Sequence, residues 1–169
     1  IINTPPANRQ PVNTQVINFD KELIRDAIDF EIQRGGQVYF VHNRVQTIHE
    51  IAQTLHQLVP KARIVVGHGQ MEGEALERVM LDFIEGQYDI LVSTTIVENG
   101  LDIPNANTII INDAQNYGLS DLHQLRGRVG RSNTQAYAYV TYKRDKMLSE
   151  VADKRLKAIK EFTEFGSGF

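Results

Sequence analysis

The apolar positions of this chain switch period repeatedly, from two to about 3.6 and back, and each switch marks an element boundary. Residues 12–19 alternate in the manner of a strand suited to a sheet edge. Asp20 then stands where it can cap a helix whose Leu23, Ile24, Ala27, Ile28 and Ile32 form one stripe, stopped by Gly35-Gly36. Residues 37–41 form a short apolar strand ending at His42-Asn43-Arg44, and the next helix carries Ile48, Ile51, Ala52, Leu55 and Leu58 before Pro60. A strand at 62–66 runs into Gly67-His68-Gly69-Gln70, followed by a helix with Leu76, Val79, Met80, Phe83 and Ile84 on one face. Further strands are predicted at 88–92, 108–111 and 136–141, with a short helix at 120–131 and a charged one at 147–165.

Short apolar strands alternating with amphipathic helices predict an α/β fold, a mainly parallel sheet sandwiched between helices. Ligands of such sheets sit beyond the carboxyl ends of the strands. The polar clusters obey that rule: residues 42–44, 67–70 and Ser93-Thr94-Thr95 each follow a strand directly.

Composition adds bounds. With 169 residues and 41% hydrophobic content, the chain can bury one sizeable core, so one main domain is expected. Its net charge of −3, from 18 basic and 21 acidic residues, argues against a generic basic nucleic-acid coat but leaves room for a local basic groove. The absence of cysteine excludes a disulfide framework and a thiolate metal site. His49 and His56 lie seven residues apart on one predicted helix, too far to share an ion without a third ligand, so no metal site is expected. No apolar run approaches the ~20 residues of a membrane span, so a cytoplasmic protein with no membrane contact is expected. The chain opens on Ile1 rather than Met, and residues 1–11, with three prolines, read as a connector from an upstream domain.

The strongest chemical signal is His123-Gln124-Leu125-Arg126-Gly127-Arg128-Val129-Gly130-Arg131. On a helix at about 100° per residue, Gln124, Arg128 and Arg131 share an arc of roughly 60°, while Leu122, Leu125 and Val129 gather opposite. Two guanidiniums on one face repel each other unless an anion lies between them, and their forked donors suit phosphate oxygens. Gly127 and Gly130 each cost a helix about 1 kcal/mol relative to alanine, which points to close backbone approach. The ordinary alternative is a solvated basic helix face.

Gln124-x-x-Gly127-Arg128-x-Gly130-Arg131 resembles motif VI of the superfamily 2 helicases, and residues 94–104 resemble motif V. The run Gly67-His68-Gly69-Gln70-Met71 and the stretch 118–131 are similar to the branch that holds the bacterial transcription-repair coupling factors and the fork-remodelling helicase RecG. Thr4-Pro5-Pro6-x-x-Arg9 and the Gly67–Met71 form resemble the coupling factors more closely.

The resemblance implies a RecA-like domain, the second of a two-domain motor. Arg128 and Arg131 would be arginine fingers on ATP held with Mg²⁺ mainly by the first RecA-like domain of the same protein, and Gln124 would help to orient them. Gly100 and Asp102 would approach the nucleotide from this side, Asp102 accepting from a ribose hydroxyl; a turn-forming aspartate before Ile103-Pro104 is the plainer reading. Glu98 would couple nucleotide and DNA sites. Thr94, Thr95, Asn43, Arg44, His68 and Gly69 are candidates for double-stranded DNA backbone contacts, with plain turns as the alternative. Asn99 stands where the family more often has threonine. The implied domain plan is a connector at 1–11, the RecA-like domain at 12–146, and at 147–169 a helix opening a truncated translocation motif. RNA polymerase and excision-repair proteins would be met through other domains.

No phosphate-binding Gly-x-x-x-x-Gly-Lys-[Ser/Thr] run and no Asp-Glu box occur in the 169 residues. The chain alone is therefore expected to be inactive, as part of an ATP-hydrolysing translocase that displaces stalled polymerase. The nearest alternative is a RecG-like fork remodeller. A different class, a non-catalytic α/β nucleotide-binding or interaction module, would call for an acidic or glycine-rich first strand-to-helix turn, and this chain has an arginine helix after its penultimate strand instead.

Overall fold

The computed structural model describes residues 12–95, 105–129, 133–143 and 150–164. Six strands, β1 (Asn13–Asn18), β2 (Gln37–Val41), β3 (Ile64–Gly67), β4 (Ile90–Ser93), β5 (Ala106–Ile111) and β6 (Tyr137–Tyr142), form one sheet in the order β1-β6-β5-β2-β4-β3. Every pairing is parallel, so the sheet is wholly rather than mainly parallel over these strands, and β1 is an edge as expected. The helices are α1 (Lys21–Gln33), α2 (Ile48–Leu58), α3 (Gly73–Ile84), α4 (Leu119–Arg126) and α5 (Glu150–Glu164).

The period of two in β2 divides the core. Val38 and Phe40 pack with Ile24 and Ile28 of α1 and Ile48 and Leu55 of α2 on one face. Tyr39 and Val41 pack with α3, α4 and α5 on the other, through Phe83, Leu122, Leu125, Leu156 and Ile159. Each fully buried large side chain contributes about 2 kcal/mol of transfer free energy, and β2 is buried along its whole length because helices cover both its faces. Asp20 caps α1 as its position predicts, its Oδ1 accepting from the N–H groups of Glu22 (2.9 Å) and Leu23 (3.4 Å). Gly35 then ends the helix in the left-handed region, at φ +87°.

Two helical readings change. The helix expected over 120–131 stops at Arg126, with Gly127 as its C-cap. Beyond it the bonds tighten to Arg128 N–H to Leu125 O (3.0 Å) and Val129 N–H to Arg126 O (3.5 Å), as glycine's low helix propensity allows. On α5, predicted only as a charged helix, Lys154, Lys157 and Lys160 face solvent, but Arg155 turns inward.

The amino-terminal end of the sheet carries a buried ion pair that periodicity did not indicate. Glu31 is 0% exposed on the apolar side of α1 and is held by the Arg34 guanidinium, with Nε to Oε2 at 2.9 Å and Nη2 to Oε1 at 2.5 Å. The Thr108 hydroxyl donates to the same carboxylate, and Arg34 also donates to Gln135 O at 2.7 Å. Gly36 must lack a side chain here, since a Cβ would stand 1.8 Å from Glu31 Oε2.

Candidate functional site

The topology opens a crevice at the carboxyl ends of β2 and β5. These neighbours part company there: the chain leaves β2 through α2 on one face toward β3, and leaves β5 through α4 on the other face toward β6. Ligand sites of doubly wound sheets form at such a switch. A cleft of about 210 Å³ lies here, lined by Asn43, Thr95, Asn116, Tyr117, Asp121, Gln124, Leu125 and Arg128.

The cleft joins segments that sequence reading had singled out separately. Gln124 and Arg128 reach it from α4 and the turn after it, while Leu122 (0% exposed), Leu125 (5%) and Val129 (4%) anchor that segment in the core. The opposition of polar and apolar sides survives the shortening of the helix, because a tightened turn rotates Arg128 only slightly from its helical position. Asn43 comes from the turn after β2 and Thr95 from the turn after β4. They are tied together, Asn43 Oδ1 accepting from Thr95 N–H (3.4 Å) and Oγ1–H (3.1 Å).

The other candidates distribute as follows. Arg44 and Gly69 are exposed, and His68 is half-buried with its ring edge-on to His49, centroids 5.9 Å apart. His68 Nδ1 accepts from the Gln70 N–H at 3.2 Å, a local turn bond. Thr94 is buried, so Thr95 rather than Thr94 presents its hydroxyl to the cleft. Glu98, Gly100, Asp102 and Arg131 lie outside the described residues, as does the connector 1–11.

Three lining residues were missed by the sequence reading. Asp121 was detectable: it falls on the same helical arc as Gln124 and Arg128, and its Oδ2 accepts from the Gly118 N–H at 3.3 Å to start α4. Asn116 and Tyr117 had no sequence signal, because only the route of the chain after β5 brings them there. Burial pushes the Tyr117 phenol far above its usual range, with Tyr39 and Asp113 adding to the rise, so it stays protonated. The Tyr117 segment is braced from outside by Arg155 of α5, which donates to Tyr117 O at 2.6 Å and Gln115 O at 3.3 Å.

Arg126, the third arginine of the motif, points the other way and is 4% exposed; burial lowers its pKa. Burial also lowers the pKa of its neighbour His123, with a further push from Arg126. His42 behind the cleft is held low by burial too, reinforced by Lys143 and Arg44 and opposed by Asp113 and Glu50. Both histidines bind a proton more weakly folded than unfolded, so their contribution to stability is complete above the unfolded value of 6.5 and is lost as pH falls through the lowered folded values. The midpoint of urea unfolding is therefore expected to be lower at pH 5.5 than at pH 7.5, and less so in His42→Gln; equal wild-type midpoints would refute this.

The donors in the cleft, a guanidinium and the amides of Gln124, Asn43 and Asn116, suit phosphate oxygens. Residues 18–133 match the family described as helicase conserved C-terminal domain. The chain belongs to that family. It is 60% identical over all 169 residues to the transcription-repair-coupling factor of Bacillus subtilis (strain 168), and 54% identical to that of Staphylococcus aureus (strain NCTC 8325 / PS 47). The chain spans 14% of the length of each of these relatives. Among solved structures it is similar to RecG bound to a three-way DNA junction, with a TM-score of 0.77 at 34% identity over 95% of this chain and 21% of that one. The C-terminal domain of the DEAD-box protein Dbp5 shares the fold, with a TM-score of 0.65 at 16% identity over 91% of this chain and 86% of that one. The sheet is thus the RecA-like sheet of a helicase C-terminal domain. No described helix is long and apolar enough to cross a membrane.

Proposed function

We propose that this domain is the second motor half of an ATP-driven double-stranded DNA translocase of the transcription-repair coupling kind. The observation that carries the reading is the cleft, where Gln124 and Arg128 of the arginine motif meet Asn43 and Thr95 of two other strand-end turns. Such a cleft lets one rigid body feel nucleotide and DNA backbone together. In this reading Arg128 and Arg131 reach across to ATP and Mg²⁺ bound mainly by the first RecA-like domain, with Gln124 orienting them. ATP hydrolysis supplies the free energy of each step. Gly100, Asp102 and Glu98 complete the nucleotide side, while Asn43, Arg44, His68, Gly69 and Thr95 form the DNA side, with the buried Thr94 beneath it, and this side reads backbone and not sequence. Displacement of RNA polymerase and recruitment of excision repair fall to domains of the longer protein beyond this one, and residues 147–169 begin the translocation motif.

The identity of 60% to a coupling factor against 34% to RecG supports this reading over fork remodelling. The test uses the full-length protein. It is expected to hydrolyse ATP faster with duplex DNA, to strip a third strand from a DNA triplex, and to release a stalled elongation complex. The isolated domain should do none of these. Triplex displacement without polymerase release, together with regression of a model fork, would favour the RecG-like alternative. Turnover by the isolated domain would sink the half-motor reading.

A further inference from the structure

His42 follows β2 directly, is 6% exposed, and does not line the cleft. Its imidazole nevertheless sits at the centre of a buried polar chain. Nδ1 lies 2.9 Å from Asn112 Nδ2, and Nε2 lies 2.7 Å from Thr47 Oγ1. The Thr141 hydroxyl donates to Ile111 O at 3.1 Å and lies 3.5 Å from Asn112 Oδ1, beside this chain. The Asn112 amide stands with its NH₂ toward His42. An amide NH₂ can only donate, so Nδ1 must accept and the ring proton resides on Nε2, from which it is donated to Thr47. One direction of donation therefore runs from Asn112 through His42 to Thr47.

The two ends of this chain differ in stiffness. Thr141 and Asn112 belong to the ends of β6 and β5, deep in the sheet; Asn112 N–H donates to Val41 O at 2.9 Å, and His42 N–H to Ser93 O at 2.8 Å. Thr47 belongs to the short 3₁₀ turn Val45–Thr47, which closes the loop carrying Asn43 and Arg44 and leads into α2. That turn has no other side-chain cap, and its backbone bond from Thr47 N–H to Arg44 O is long at 3.3 Å. The imidazole thus staples the far side of a four-residue loop back to the rigid strand ends. Asn43 within that loop holds Thr95 in the cleft wall.

We infer that His42 is a positioning residue for the DNA side of the cleft: through Thr47 it sets where Asn43 and Arg44 stand, without itself touching DNA or nucleotide. This rests on the proposed function, in which Asn43 and Arg44 meet the DNA backbone. The staple acts on affinity for duplex and not on the hydrolytic step, since neither His42 nor Thr47 reaches the cleft.

The test uses the full-length protein. The duplex concentration giving half-maximal ATPase, the kcat at saturating duplex and the thermal midpoint are measured for Thr47→Val, Thr47→Ser and His42→Phe. Losing one hydrogen bond of this kind is expected to raise the half-stimulating duplex concentration about five-fold in Thr47→Val, with kcat within about two-fold of wild type. Thr47→Ser, which keeps the hydroxyl, should behave as wild type. His42→Phe, which keeps ring volume but loses both bonds, should raise the requirement about ten-fold or more; should it not fold, the threonine pair still decides. Thr47→Val with an unchanged duplex requirement, or with losses of kcat and thermal midpoint alone, overturns the inference. So does Thr47→Ser behaving like Thr47→Val, since the hydroxyl would then be irrelevant. If wild type neither binds duplex nor responds to it, the proposed function falls and this inference with it; a normal wild type indifferent to Thr47→Val sinks this inference alone.

Discussion

Replacing Arg128 with alanine in the full-length protein is expected to lower kcat for ATP by about a thousand-fold, the low end of what an arginine finger contributes. The size follows from where the charge stands. Arg128 lines the cleft beside Gln124, and its backbone is held by a bond from its N–H to Leu125 O at 3.0 Å. Leu125 and Val129 on either side are buried, so the guanidinium is carried on a rigid mount and needs little reorganisation when charge develops on a phosphoryl group. Arg128→Lys should also be strongly impaired, because an ammonium keeps the charge and loses the planar fork. The side chain is only half-buried and faces the cleft, so the thermal midpoint of the domain should hold within a degree or two of wild type. Single-turnover hydrolysis with prebound duplex makes the measurement. A loss of ten-fold or less would mean that Arg128 contributes binding and not transition-state charge, and the finger reading would fail.

A second large effect is expected far from the cleft. Arg34→Met should destabilise the domain by about 3–5 kcal/mol, because it strands a fully buried carboxylate. Glu31 is 0% exposed and would keep only the Thr108 hydroxyl among its described side-chain donors. The guanidinium also leaves two rings, lying 5.0 Å from the Phe30 centroid and 5.2 Å from that of Tyr137, and it leaves Gln135 O. At this chain length the thermal midpoint should fall by roughly 10 °C. Pairing the change with Glu31→Leu should recover most of the loss, since no buried charge is then left alone. Arg25→Met is the control: its ion pair with Asp26 is exposed on both sides and should shift stability by ~0.5 kcal/mol or less. An Arg34→Met midpoint indistinguishable from that of Arg25→Met would show that the pair is solvated in solution.

The two effects were unequally legible. The arginine motif was readable because helical period, glycine spacing and apolar anchors all speak within nine residues, and Leu122, Leu125 and Val129 are buried as that reading required. The end of its helix was misjudged by several residues, since Gly127 tolerates either continuation or a cap and only the turn geometry decides. Glu31 was invisible for a plainer reason. It falls on the α1 stripe of Ile24, Ala27 and Ile28, but a carboxylate there is tolerable only with a partner such as Arg34, and binary patterning does not register partners. In sequence Arg155 is one more cation on a charged helix, and its acceptors, Gln115 and Tyr117, lie some forty positions back.

What the sequence determined by itself was everything carried by short-range periodicity: strands and helices in order, a parallel α/β sheet, the strand-end location of the polar clusters, and the opposed polar and apolar sides of the arginine segment. These follow from the backbone's two repeat lengths and from side-chain chemistry, both of which are local. What only the tertiary structure decided was adjacency. The strand order β1-β6-β5-β2-β4-β3 sets β2 beside β5 across almost 70 residues of chain, and that neighbourhood creates the cleft where Asn43, Thr95, Gln124 and Arg128 meet. It also aligns Asn112, His42 and Thr47 into one line of hydrogen bonds. Such contacts are selected by the packing of both sheet faces at once, a property of the whole core and not of any segment within it.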